Sequence, residues 1–239
     1  MKTLKDKVII VTGAGGAIAG SVESAFRKGG AQIVLVDRDG VRIQGRAAGY
    51  DVPPIEADFS TYGGAQAVVA QVEAELGRVD GLVHLVGEVV TGSLLDAGER
   101  DFDAAFGTNV KTLFHATRAV LPALMRREEG FIGGIASQEA WGGGAAGAGL
   151  FAAAKSAVAT LLRSLDADLE HTNVGVAIVF PMGPVDTATN RRRLRGDASA
   201  RLVHPYAVGQ AFVSAALSGT GGSLLEILVH PPRAGTPSA

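Results

Sequence analysis

The first residues whose types and spacing suggest chemistry are Thr12-Gly13-Ala14-Gly15-Gly16 and, about 20 residues beyond that turn, Asp37. A glycine-rich turn that opens a helix presents backbone N–H groups and the positive helix end, which suits a pyrophosphate. A carboxylate at the tip of the following strand accepts hydrogen bonds from both hydroxyls of an adenosine ribose and repels a 2′-phosphate. Together they imply a dinucleotide site; the competing reading is a turn that uses glycine only for packing. A second group of residues lies further on. Ser137-Gln138-Glu139 ends an apolar run, and Phe151 and Lys155, four positions apart, share one helix face. Asn109 sits inside a long amphipathic stretch, where asparagine is a mediocre helix former that asks for polar partners.

The elements that position these groups can be read in order. Val8 to Val11 is β-branched without alternation, as in a parallel strand covered on both faces. A helix is predicted from about Ala17 to Lys28, stopped by Gly29-Gly30, and Gln32 to Val36 repeats the buried-strand pattern up to Asp37. A short helix over Val41 to Ala48 leads to a third strand, Val52 to Ala57, whose Pro53-Pro54 suits a sheet edge. Ala65, Val68, Val69, Val72 and Leu76 mark an amphipathic helix that Gly77 ends. Strands follow at Gly81 to Val86, Phe131 to Ala136, Val174 to Phe180 and Leu224 to Val229. Helices are expected over Phe102 to Met125, around Phe151 to Lys155, and over Pro205 to Leu217. Alternating strands and helices without repeats or a linker predict one doubly wound parallel α/β domain over residues 1–232, with residues 233–239 as a loose tail at the end of the proline-bearing stretch Pro231 to Ala239.

Composition sets limits. At 239 residues and 47% hydrophobic content the chain can bury a full core, and its net charge of −2 exerts no global pull on nucleic acid or an anionic membrane. The absence of cysteine excludes disulfides and thiolate metal sites and is compatible with a reducing cytoplasm. The charged start Met1 to Lys7 lacks the form of a secretory signal, and no apolar run reaches transmembrane length. The expectation is a soluble cytoplasmic protein with a small-molecule substrate and no metal.

The turn Thr12-Gly13-Ala14-Gly15-Gly16-Ala17-Ile18-Ala19 resembles that of the short-chain dehydrogenase/reductase family, which reads Thr-Gly, three variable residues, Gly, an aliphatic residue, Gly. Thr12, Gly13 and Ile18 match; Ala17 and Ala19 stand at the second and third glycine positions. The resemblance implies a Rossmann-type sheet of seven strands in the order 3-2-1-4-5-6-7 and a substrate loop over about 186–204. It implies NAD(H) rather than NADP(H), bound by Thr12, Gly13, Gly15, Gly16, Ile18 and Asp37, although Arg38 beside Asp37 tolerates a 2′-phosphate. Asp58-Phe59 would lie by the adenine, the alternative being an acid that caps the next turn. Gly87 keeps its place in His84-Leu85-Val86-Gly87, where relatives write Asn-Asn-Ala-Gly, and His84 reads as a structural histidine bonded to a neighbouring helix. Pro181-Met182-Gly183-Pro184-Val185-Asp186-Thr187 resembles the loop whose valine backbone and threonine hydroxyl hold the nicotinamide carboxamide.

The same resemblance gives Asn109 a water in a proton relay, the alternative being an asparagine that caps a backbone defect, and assigns Lys155 to the nicotinamide ribose. Phe151 stands where the family's Tyr-x-x-x-Lys has its tyrosine, and Gln138, thirteen residues earlier, stands for its serine, with Ser137 adjacent. Phenylalanine has the ring without the proton. A positioned acid or base contributes about 100- to 10,000-fold, so the expectation is an oxidoreductase with altered proton transfer, its proton coming from water, Ser137 or Glu139. The enoyl-reductase spacing does not rescue it, because Ala148 holds the position seven residues before Lys155. The alternative is a catalytically inactive nucleotide-binding or protein-interaction protein on the same fold. Arg191, Arg192, Arg193 and Arg195 read either as a solvated loop or as a grip on a phosphopantetheine or carboxylate. Relatives are commonly homo-oligomers, dimers or tetramers packed through two long helices, which alanine-rich Ala152 to Ala159 would permit.

Overall fold

A computed structural model of the chain describes residues 1–45, 53–142, 146–194, 201–218 and 224–232. The chain opens with β1 (Val8–Thr12), α1 (Ala19–Lys28), β2 (Gln32–Asp37), α2 (Gly40–Gln44), β3 (Ile55–Glu56), α3 (Tyr62–Leu76) and β4 (Gly81–His84). It continues with α4 (Glu99–Phe106), a π-helical turn (Gly107–Lys111), α5 (Thr112–Arg127), β5 (Gly130–Ile135), α6 (Gln138–Gly142) and α7 (Gly149–Asp168). The last elements are β6 (Val174–Pro181), α8 (Ala188–Arg193), α9 (Pro205–Leu217) and β7 (Leu225–Val229). The strands form one seven-stranded parallel sheet in the order β3-β2-β1-β4-β5-β6-β7, as expected.

Helices cover both faces, which explains the unbroken apolar strands. Val8 and Ile10 pack with Val34 and Val36 against Val68 and Val72 of α3 and Leu113 and Val120 of α5. Ile9 and Val11, on the other face, join Ile33 and Leu35 under Val22 and Phe26 of α1 and Val208 and Phe212 of α9. Helices α1 and α9 meet closely at Gly209, where a Cβ would come within 2.6 Å of the Ser21 carbonyl oxygen. Gly77 ends α3 with φ +72°, returning its N–H to the Glu73 carbonyl.

Several boundaries differ from the sequence reading. Helix α1 starts at Ala19, since Gly16 N–H and Ala19 N–H first make tight bonds to Gly13 O and Gly16 O. The third strand is confined to Ile55–Glu56, at the sheet edge that Pro53-Pro54 suggested. The single helix expected over Phe102 to Met125 is α4 and α5 joined by a wider turn around Asn109. The arginine run is helical as far as Arg193, because Thr187 caps α8 by accepting the Asn190 N–H. The distal part of the helix expected to reach Ala48, the start of the third strand, Gly143 to Ala145, Arg195 and the tail 233–239 lie outside the described residues. Among the described residues no helix is long and apolar enough to cross a membrane.

Candidate active site

Two cavities line the carboxyl ends of the strands, where an open parallel sheet places its ligands. The larger, about 430 Å³, runs past Gly13 and Gly16 of the turn after β1, Asp37 and Arg38 after β2, and Asp58 and Phe59 after β3. The smaller, about 260 Å³, is bounded by Ile18, Ser137, Gln138, Phe151, Lys155, Val185 and Thr187. Leu85, Gly87 and Glu88 belong to both, so the two volumes meet at the loop after β4.

At the first end the turn and the acid are locked together. Gly13 adopts φ +69° and packs so closely that a Cβ would lie 2.9 Å from the Val86 nitrogen. Asp37 Oδ2 accepts the Gly15 N–H at 2.9 Å and Oδ1 the Asp39 N–H at 3.0 Å, which fixes the carboxylate while each oxygen retains a lone pair for a ligand. Arg42 and Lys111 join Arg38 around this cavity. Asp58 faces it too, but its carboxylate accepts the Ser60 hydroxyl and N–H, as in the capping alternative, and these bonds hold it below the ordinary carboxylate range.

Behind the junction lies a buried polar frame. His84 bridges Thr12 Oγ1 at 2.8 Å and Thr112 Oγ1 at 3.1 Å, tying β1 and β4 to α5 in the structural role expected of it. Thr112 donates its proton to the Thr108 carbonyl, so His84 Nε2 carries hydrogen and Nδ1 accepts from Thr12. Burial, with a smaller contribution from the Lys155 charge, pushes His84 down to about 3, so the ring stays neutral. Asn109 is fully buried in the π-helical turn: Nδ2 donates to the Ala105 and Glu88 carbonyls, and Oδ1 accepts the Glu88 N–H at 3.3 Å. It therefore satisfies a helix irregularity and also clamps the loop at which the cavities meet. Thr12, Gly15 and Asn109 support the cavities from behind rather than lining them. Gly87 has to be glycine, because a Cβ would lie 2.7 Å from Asn109 Oδ1 and 2.9 Å from Lys155 Nζ.

The second end holds polar groups that the protein leaves open. Lys155 is 5% exposed and donates to the Ile135 carbonyl at 3.0 Å, which leaves two of its three N–H bonds unassigned. Burial without an anionic partner pushes its ammonium down to about 8. The Phe151 ring lies on the same face, 6.0 Å from Lys155 Nζ. Ser137 Oγ is buried without a hydrogen-bond partner among the described residues, whereas Gln138 donates to the Glu139 carboxylate. Thr187 Oγ1 accepts the Asn190 N–H, and the Val185 carbonyl accepts from the Asn190 amide.

A family model described as short chain dehydrogenase matches residues 7–197. The chain belongs to the short-chain dehydrogenase family. This is an oxidoreductase family, and the turn, the sheet order and the cavities at the strand ends now have a common origin. A short chain dehydrogenase of Pseudocercospora fijiensis is 35% identical over 190 residues, covering 76% of this chain and 60% of that protein. An uncharacterized oxidoreductase of Staphylococcus aureus is 25% identical over 234 residues, 97% of this chain and all (100%) of that one. Among solved structures, a 3-ketoacyl-(acyl-carrier-protein) reductase from Brucella melitensis, complexed with NADH, superposes with a TM-score of 0.85 at 25% identity, covering 97% of this chain and 99% of that one.

Glu88 escaped the sequence reading. It lines both cavities and its backbone holds Asn109, yet its only signal is its place directly after Gly87. Arg42 and Lys111 escaped as well, because a charge on an exposed helix position is ordinarily a solvated one.

Proposed function

We propose that this member of the family is an NAD-preferring oxidoreductase, acting on an alcohol/carbonyl pair or an activated double bond, with proton transfer rearranged around Phe151. The observation that carries the reading is the junction at Gly87 of a cavity ending in Asp37 with one ending in Lys155, Ser137 and Phe151. The donor set fits a dinucleotide: an anchored carboxylate for the adenosine ribose, a buried ammonium with unassigned N–H bonds, and an orphaned serine hydroxyl. When bound, the cofactor would supply or accept hydride.

The residues divide that work. Gly13, Gly16 and Ile18 shape the bed of the diphosphate, and Asp37 selects ribose over its 2′-phosphate. Lys155 holds the second ribose, while Val185 and Thr187 orient the ring next to it. Ser137 supplies a hydrogen bond to the reacting oxygen, because a buried hydroxyl with no internal partner is stabilised by a ligand that provides one. Phe151 contributes shape and dryness but no exchangeable proton, so the proton reaches the substrate from water or through Ser137. Assembly would use the outer faces of α4 and α5, where Phe102 and Phe114 remain 50% and 45% exposed.

The second reading, a nucleotide-binding protein without turnover, is favoured by Phe151 itself. Turnover by the parent protein, lost in Lys155→Ala, separates them, and Phe151→Tyr gauges what the missing phenol costs. With saturating NADH and a panel of small aldehydes and ketones, the variant should turn over about 100- to 10,000-fold faster than the parent protein. A variant that binds NADH and stays silent on every substrate would leave the non-catalytic reading standing.

A further inference from the structure

The described arginines of α8 are not equivalent. Arg191 makes a bidentate pair with Asp186, its Nη2 bond measuring 2.6 Å, and so ties the helix to the loop after β6. Arg192 reaches Thr189 Oγ1 at 3.4 Å on the outside. Arg193 has neither an ion pair nor a hydrogen bond among the described residues, and it is the one of the three that lines the cavity of Lys155 and Ser137. Arg193 is exposed, and at the rim of this cavity its guanidinium presents a planar fork of donors matched to a carboxylate. Leu85, Ile135 and Phe151 supply apolar lining to the same cavity. Glu88 and Glu139 also line it, but neither forms an ion pair with Arg193 among the described residues.

We infer that Arg193 is a specificity-determining residue that receives the carboxylate of an oxo acid or hydroxy acid, whose apolar body lies against Phe151 and whose oxygen faces Ser137. The inference rests on the reading of this cavity as the reactant site. Arg191 contributes by holding α8 in place, so the pair divides into a tether and a receiver.

Titration calorimetry on protein loaded with NAD⁺, from which a ketone can accept no hydride, tests it without reliance on turnover. The probes are 2-, 3- and 4-oxo carboxylic acids, each against its methyl ester. The expected result is that at least one acid binds about 10-fold tighter than its ester, and that Arg193→Gln removes the difference while leaving ester affinity unchanged. Equal affinity for acid and ester throughout the series overturns the inference, as does a preference that survives in Arg193→Gln, which would assign the anion to Lys155. Should NAD⁺ itself not bind, the cofactor reading fails separately. The acid and ester titrations are then run on the unloaded protein, and the same outcomes decide the role of Arg193.

Discussion

The two edges of the sheet treat buried charge in opposite ways. At the amino-terminal edge, Asp80 is 1% exposed and fully partnered. It accepts the Val8 N–H at 2.9 Å, takes both Arg78 Nε and Nη2 at 2.6 Å and Arg127 Nε at 3.0 Å, and has Lys7 at 4.0 Å. Burial raises its pKa, and those bonds more than reverse the effect, so the carboxylate stays ionised. At the carboxyl-terminal edge Lys155 is also buried, yet among the described residues it has one carbonyl and no anion, and Ser137 beside the same cavity has no partner there. Charge at the first edge closes the structure on itself. At the second it lacks an anionic partner among the described residues, and under the proposed function a bound dinucleotide would offset the cost of burying it.

That contrast can be broken by substitution at each edge. Asp80→Ala removes the hub of a buried network and leaves its cations facing one another, so unfolding free energy should drop by about 3 kcal/mol, measured by denaturant titration. A loss near zero would mean that the amino-terminal edge is no more internally satisfied than the other.

Lys155→Met should act with the opposite sign. Moving the lysine pKa from 10.5 to about 8 corresponds to about 3 kcal/mol against the charged form in the fold. At pH 7 the methionine variant should be more stable by about 2 kcal/mol, less than the full amount because the Ile135 carbonyl loses its donor. The folded pKa lies below the unfolded one, so the unfolded chain binds more protons between about 8 and 10.5, and wild-type stability should recover as pH rises through that window. The gap between the two proteins should narrow over the same range. A variant less stable than wild type at pH 7 would instead make Lys155 a structural residue.

Much of the arrangement was legible in the sequence, for identifiable reasons. Val8 to Asp37 could be read because a strand covered on both faces leaves an unbroken apolar run, and because the turn residues have backbone requirements that side-chain-bearing residues meet poorly. Helix α3 was legible from its periodicity and from Gly77 at its left-handed end. The π-helical turn was not, since one wider hydrogen-bonded turn changes neither composition nor period, and Asn109 was the only mark it left. The arginine run concealed a helix because its cap, Thr187, was read as a ligand group rather than as a helix start. The open state of Ser137 and Arg193 could not be read at all. A missing partner is a fact about three-dimensional neighbours, and the same residue types elsewhere in the chain, such as Arg191, are paired.

The cleft running from Asp37 to Lys155 is the centre of this picture, and a calorimetric titration of the purified protein with NADH and, separately, with NADPH tests it most directly. The expected result is saturable NADH binding at least about 10-fold tighter than NADPH, since the extra phosphate would lie against the fixed Asp37 carboxylate. Binding of neither nucleotide would contradict it, leaving the open groups of the carboxyl-terminal edge to another ligand, and equal binding of both would hand the selectivity at Asp37 to Arg38, Arg42 and Lys111.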